Sequence, residues 1–221
     1  MVKKRSDGAF IGICIGLVIG SLLAFAYTTS DNRKKPQIVY VLKDFVSSAP
    51  QEILEPEISK EELELENLRH YMHFDMSATT RLSEDLKPEI ISEIVEQSLA
   101  YEVDPKLVYA VLFTESRFRN NVKHQPTYVK QLKKKVQAIG MGGVVWEFWS
   151  DYLIANTSLK QKSDLKDWRK NIEATAAILA FLSNYKMHPK AQDTKESAAI
   201  RYYGLHSVDY VESINLAYSR L

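Results

Sequence analysis

Glu115 is the residue in this chain whose type and spacing best suit it to chemistry. It lies near the end of an apolar run, VDPKLVYAVLFTESRF, at residues 103–118. Leu107, Val108, Val111, Leu112 and Glu115 recur at three- and four-residue steps, so in a helix they share one face. A carboxylate among aliphatic side chains loses hydration, which disfavours its charged form and raises its pKa. An acid that keeps its proton near neutral pH can serve as a general acid. The competing reading is a helix-end glutamate whose head reaches water or pairs with Arg117 or Arg119.

Other chemistry is poorly supported. His70 and His73 have helical i, i+3 spacing, but no cysteine and no obvious carboxylate geometry accompanies them, so no metal and no other cofactor is expected. The only cysteine, Cys14, lies in an N-terminal apolar run, which excludes a disulfide framework and a thiolate metal site in the folded part. His206, Ser207 and Asp209 form no nucleophile motif. A net charge of +1 gives no global electrostatic case for nucleic acid.

The elements that must position Glu115 are helical. Pro105 suits a first helical turn, with Asp104 as its cap. Ile90, Ile91, Ile94, Val95 and Leu99 mark one face of a helix over 84–101. Further helices are expected over 168–185, 196–203 and 208–221, with an aromatic, apolar stretch at 144–153. A glycine-rich loop at 138–143 follows a basic segment at 131–136. Lys130, Lys133, Lys134 and Lys135 are read as a solvated helix face, with an anionic wall polymer or membrane as the sharper alternative. No βαβ alternation and no repeat is present, so the class is mainly α, with one domain over 83–221.

The N-terminus bears on location. A basic head at 1–8 carries Lys3, Lys4 and Arg5, and 9–27 contains no charge. At about 1.5 Å per residue that run spans a bilayer as a signal anchor. A cleaved signal peptide is the alternative, because Ala24-Phe25-Ala26 resembles a cleavage site. Either reading exports the rest of the chain, and the anchor puts it on the periplasmic or extracytoplasmic side of the cytoplasmic membrane. Gly12, Gly16 and Gly20 fall at four-residue spacing and would permit a homodimer through the anchor. Residues 28–82 read as a tether, with a β-prone stretch at 38–42 and an acidic segment from Glu52 to Glu66. Its second half has a capping-box start, Ser59 and Glu62, but its composition is that of a solvated spacer.

Four blocks in order resemble a known family. Residues 100–118 resemble two opening helices that end in an E-S-x-F motif, here Glu115-Ser116-Arg117-Phe118. Ala138-Ile139-Gly140-Met141 is similar to a G-A-x-G-L-M-Q loop, and Asn171-Ile172-Glu173-Ala174 to a helix behind the cleft. Ala198-Ala199-Ile200-Arg201-Tyr202-Tyr203-Gly204, then Tyr210-Val211, resembles an A-Y-N-A-G block and a closing Y-V helix. On these blocks the region from about 86 to 221 resembles the lytic transglycosylase domain of the goose-type lysozyme-like superfamily.

The resemblance implies a lysozyme-like fold that cleaves the β-1,4 bond between N-acetylmuramic acid and N-acetylglucosamine in peptidoglycan glycan strands. It implies one essential acid, by position Glu115, and substrate assistance in place of a second carboxylate. It assigns substrate contacts to Ser116, Gly140, Met141, Tyr202 and Tyr203. Tyr202 is expected to orient Glu115 or the substrate's N-acetyl group. The usual G-L-M-Q becomes Gly140-Met141-Gly142-Gly143, so the glutamine side chain is missing, and Tyr203 replaces an asparagine. Trp146, Phe148 and Trp149 would stack on sugars or fill the core, with one tryptophan expected to be buried. A muramidase that uses water is one alternative. It would be favoured by Glu147, Asp151 or Glu173 lying across the cleft from Glu115. A non-catalytic wall-binding or assembly protein is the other. The partners could extend to a cell-envelope-spanning machine.

Overall fold

The computed structural model describes residues 59–130, 132–204 and 207–221. The expected head, anchor, glycine face and 38–42 strand lie outside the described residues. Among the described residues no helix is long and apolar enough to cross a membrane. From Ile58 onward the chain forms a compact unit. The mainly α class holds. The described helices are α1 (Lys60–Thr79), α2 (Leu86–Ala100), α3 (Pro105–Ser116), α4 (Trp146–Asn156), α5 (Trp168–Ser183), α6 (Thr194–Tyr203) and α7 (Val208–Ser219).

Helix α3 is enclosed by α2, α5 and α7. Every residue from Leu107 to Leu112 is buried, which is why that run is apolar on nearly all sides rather than on one stripe. Its start is set locally. The Asp104 carboxylate accepts from the Lys106 N–H at 2.9 Å, and Pro105 occupies a first-turn position where no N–H is needed. Helix α5 lies behind α3 and buries Ile172, Ala176, Ile178 and Leu179. It also packs against α2, α4 and α6.

Helix α1 differs from the expected spacer. Its start is the anticipated capping box, with Ser59 and Glu62 bonded reciprocally. Its far half belongs to the core. Met72 and Met76 are fully buried, and Asp75 accepts from the Tyr109 hydroxyl at 2.7 Å and from a terminal Arg220 nitrogen at 3.3 Å, in an ion pair whose closest approach is 2.7 Å. The acidic first half misled because a helix can be solvated at one end and buried at the other. The domain therefore begins near 59 rather than at 83.

The lysines after Phe118 also differ from expectation. They lie on an antiparallel hairpin, β1 (Thr127–Val129) and β2 (Lys134–Val136), with Thr127 opposite Val136. Thr127, Tyr128, Val129 and Val136 are strand formers, and Lys133 takes a positive φ in the turn.

Candidate active site

Helix α3 ends one residue after Glu115 because the chain turns sharply. Arg117 (φ 52°) and Phe118 (φ 59°) are both left-handed, an uncommon conformation for residues with a Cβ. The Arg117 N–H bonds the Phe113 carbonyl at 2.8 Å, a C-terminal cap. The strain is offset by packing. Phe118 is buried, with its ring 4.8 Å from that of Tyr109 and 6.1 Å from that of Phe113. The turn leaves the Glu115 carboxyl at the open end of an otherwise buried helix.

Glu115 is half-buried. The Tyr210 hydroxyl donates to Oε1 at 2.9 Å. Burial pushes the carboxyl up to about 7, against the Tyr210 hydrogen bond, which lowers it. Tyr210 is itself buried in the first turn of α7, where the capping Ser207 hydroxyl accepts its N–H at 3.3 Å. The Tyr203 ring stacks on it at 4.4 Å and 17°. Burial first, and the Glu115 charge second, raise the phenol pKa of both Tyr210 and Tyr202, so both remain donors.

The other carboxylate oxygen faces the glycine loop. Ile139 and Val144 pair through two backbone hydrogen bonds of 2.9 and 3.1 Å and close residues 140–143 into a tight loop. Asn171 of α5, fully buried, holds it from behind. Its Oδ1 accepts the Gly142 N–H at 2.6 Å, and its amide donates to the carbonyls of Ile139 and Leu165 at 3.0 and 2.9 Å. The Tyr202 hydroxyl donates to the Gly142 carbonyl at 2.7 Å. His124 Nε2 lies 3.1 Å from the Gly140 carbonyl, and a carbonyl only accepts, so that nitrogen carries the proton. Gly143, at φ 66°, comes closest to the acid. A Cβ there would lie 2.5 Å from Glu115 Oε2 and 3.3 Å from His124 Cε1.

A cavity of about 260 Å³ opens beside Gly143, walled by Phe148, Trp149, Arg201 and Tyr203. Phe148 and Tyr203 are exposed, as a stacking platform requires. A larger cavity, about 570 Å³, lies between α1 and α2 by His70, His73 and Phe74, and none of the site residues lines it.

The structure sorts the anticipated residues. Tyr202 and Tyr203 line the cavity beside Gly143, and Glu115 packs against Gly143. Gly140 is buried against Asn171 and Leu165, so it supports the loop and does not face substrate. Ser116 is buried, and its hydroxyl donates to the Leu112 carbonyl at 3.1 Å, a local helix bond rather than a free contact. Met141 points into the core, 1% exposed, so it does not face substrate. Tyr202 bonds the loop, and the tyrosine on Glu115 is Tyr210. Neither Trp146 nor Trp149 is fully buried; both pack half-exposed on the core. The candidate second carboxylates are engaged elsewhere. Glu147 pairs with Lys162 at 2.6 Å, Glu173 accepts from Tyr101 and from the Ser158 N–H, and Asp151 is exposed beside Ser150. Sequence reasoning missed Tyr210 as the partner, although it stood in the closing Y-V block. It also missed Asn171, His124 and Gly143, which act through backbone geometry that has no side-chain pattern. Among the described residues, no group of three or more acids, histidines or cysteines is arranged to hold a metal.

Residues 92–199 match the family model of the transglycosylase SLT domain. The matched stretch, just under half of the 221 residues, is similar to that family. The match includes Glu115, the glycine loop and Asn171, and stops before Tyr202 and Tyr210. Neither the curated proteins nor the solved structures gave a match. That family is of lytic-transglycosylase type, and the helical fold of the described residues agrees with the expected mainly α class.

Proposed function

We propose that this protein is a peptidoglycan lytic transglycosylase. Glu115, protonated, donates to the oxygen between N-acetylmuramic acid and N-acetylglucosamine. The C1–O bond breaks and the N-acetylglucosamine side leaves with a 4-hydroxyl. The muramic N-acetyl carbonyl stabilises C1. Glu115, now a carboxylate, takes the proton of the C6 hydroxyl, whose oxygen bonds C1 and closes a 1,6-anhydro ring. Glu115 ends protonated and no water is consumed. The observation that carries this reading is a single half-buried carboxyl raised to about 7, bonded by one tyrosine, with the other candidate carboxylates engaged elsewhere. A group near pKa 7 gives and regains a proton at comparable cost. The exposed Phe148 and Tyr203 suit stacking against sugar rings.

Digestion of purified sacculi with mass analysis of the products tests this. Anhydromuropeptides are expected from the wild-type protein and none from Glu115→Gln. Reducing ends would instead indicate a muramidase. No release, with Glu115→Gln binding sacculi like wild type, would leave a wall-binding protein.

Location is proposed on the sequence alone. Residues 9–27 anchor the chain in the cytoplasmic membrane and place the SLT domain outside. Protease added to spheroplasts should degrade the domain, and its survival until lysis would contradict that placement.

A further inference from the structure

Three arginines meet where two helices end. Arg81, in the link between α1 and α2, and Arg117 and Arg119, just past α3, line a cavity of about 360 Å³ with Thr79, Thr80 and Leu82. All three are exposed. No carboxylate lines the cavity, and among the described residues none of the three arginines has a carboxylate within 4 Å. Arg119 uses only its Nε, which donates to the Ser116 carbonyl at 2.9 Å, so its two terminal nitrogens remain available. Arg117 stands 5.9 Å from the Phe113 ring.

The charge is not balanced locally. The C-termini of α1 and α3 both abut the cavity, and each contributes roughly half a negative charge. Together they offset about one of three guanidinium charges. The chain offers no acid nearby in sequence either: residues 116–146 contain seven lysines and arginines and no aspartate or glutamate. In a chain of net charge +1 this is a strong local concentration. Guanidinium forks match carboxylates in geometry, in pairs when two oxygens are offered.

We propose that the Arg81–Arg117–Arg119 cavity binds carboxylates of the peptide substituents carried by the glycan strand. The inference rests on peptidoglycan being the substrate. Arg117 lies two residues from Glu115 in sequence, just past the end of the same helix. Peptide-bearing strands would then be preferred over bare ones, and the preference would weaken with salt.

The experiment compares the whole protein with Arg81→Gln/Arg117→Gln/Arg119→Gln and with the matching triple lysine variant. Two substrates are used: sacculi, and glycan strands stripped of peptides by an amidase. The glutamine variant is expected to lose roughly tenfold in turnover and in co-sedimentation on peptide-bearing material, from several exposed charge contacts acting together. It should match wild type on stripped strands. The lysine variant, which keeps charge, should recover part of the loss. Equal behaviour of wild type and glutamine variant on sacculi, or equal losses on both substrates, overturns the proposal. If the wild type cleaves neither substrate, the cleavage reading fails, while sacculus co-sedimentation still decides the cavity by the same tenfold criterion. Should the triple variant unfold, Arg81→Gln alone, outside the helix of Glu115, is read in the same assays. An unchanged sacculus affinity for that variant counts against the cavity.

Discussion

At the scale of the residue, the behaviour of Glu115 follows from water loss. Its carboxyl is near pKa 7 in the folded protein against an ordinary 4.5, so the native state holds the proton more tightly than the unfolded chain does. The stability from the neutral acid is complete below about pH 4.5 and is lost as pH rises through 7. Glu115→Gln should therefore abolish bond cleavage and raise stability above pH 7 by roughly 1–3 kcal/mol, allowing for partial exposure. Thermal melts at pH 5 and pH 8 check this, with a gain expected only at the higher pH. The acid form is needed for the first proton transfer, so kcat/KM is expected to fall above about pH 7. Tyr210→Phe removes the hydrogen bond that stabilises the charged carboxylate. Its descending limb should move up by about one pH unit, with a lower maximum rate. An unmoved limb would mean that Tyr210 does not set the pKa.

At the scale of the element, the glycine loop determines where that carboxyl points. A Cβ on Gly142 would meet Thr175 Oγ1 at 2.0 Å, and one on Gly143 would meet Glu115 Oε2 at 2.5 Å, so a side chain at Gly143 must displace the acid. The loss of the family's glutamine at Gly143 thus coincides with an acid packed directly against the backbone. Gly143→Gln is expected to lower sacculus turnover at least tenfold rather than restore a missing contact. The left-handed φ adds about 1–2 kcal/mol of strain for any side chain. Turnover at or above wild type would show that the carboxyl has room to move. Asn171 was legible only as part of a packing helix. Its role comes from facing three backbone groups outside α5, two of them about 30 residues away, which no spacing along α5 encodes.

At the scale of the whole molecule, α1 fastens the start of the domain to its end. Asp75 joins Tyr109 of α3 and Arg220 just beyond α7, the two elements that supply Glu115 and Tyr210. Asp75→Ala leaves Arg220 short of a partner and the Tyr109 hydroxyl with only the Met72 carbonyl at 3.4 Å. It should cost about 2–4 kcal/mol in urea unfolding and widen the spread of Glu115–Tyr210 geometry, seen as reduced turnover before unfolding. A fragment of residues 83–221 lacks Met72 and Met76 as well, so it is expected to aggregate where 59–221 stays monodisperse by size exclusion.

The sequence by itself determined the mainly α class and most helix positions, and it nominated Glu115 as the acid. Each of these is written in local periodicity, caps and a carboxylate at the end of an apolar run. The hairpin was missed because a basic segment is compatible with a strand or a helix, and strand pairing depends on a partner several residues away. Only the tertiary structure decided that Tyr210 rather than Tyr202 bonds Glu115, that Met141 turns inward, and that α1 is core rather than tether. Those outcomes depend on which faces meet across long sequence separations. Desolvation of Glu115 likewise arises from enclosure by α2, α5 and α7, so the sequence could nominate the acid but only packing could raise its pKa.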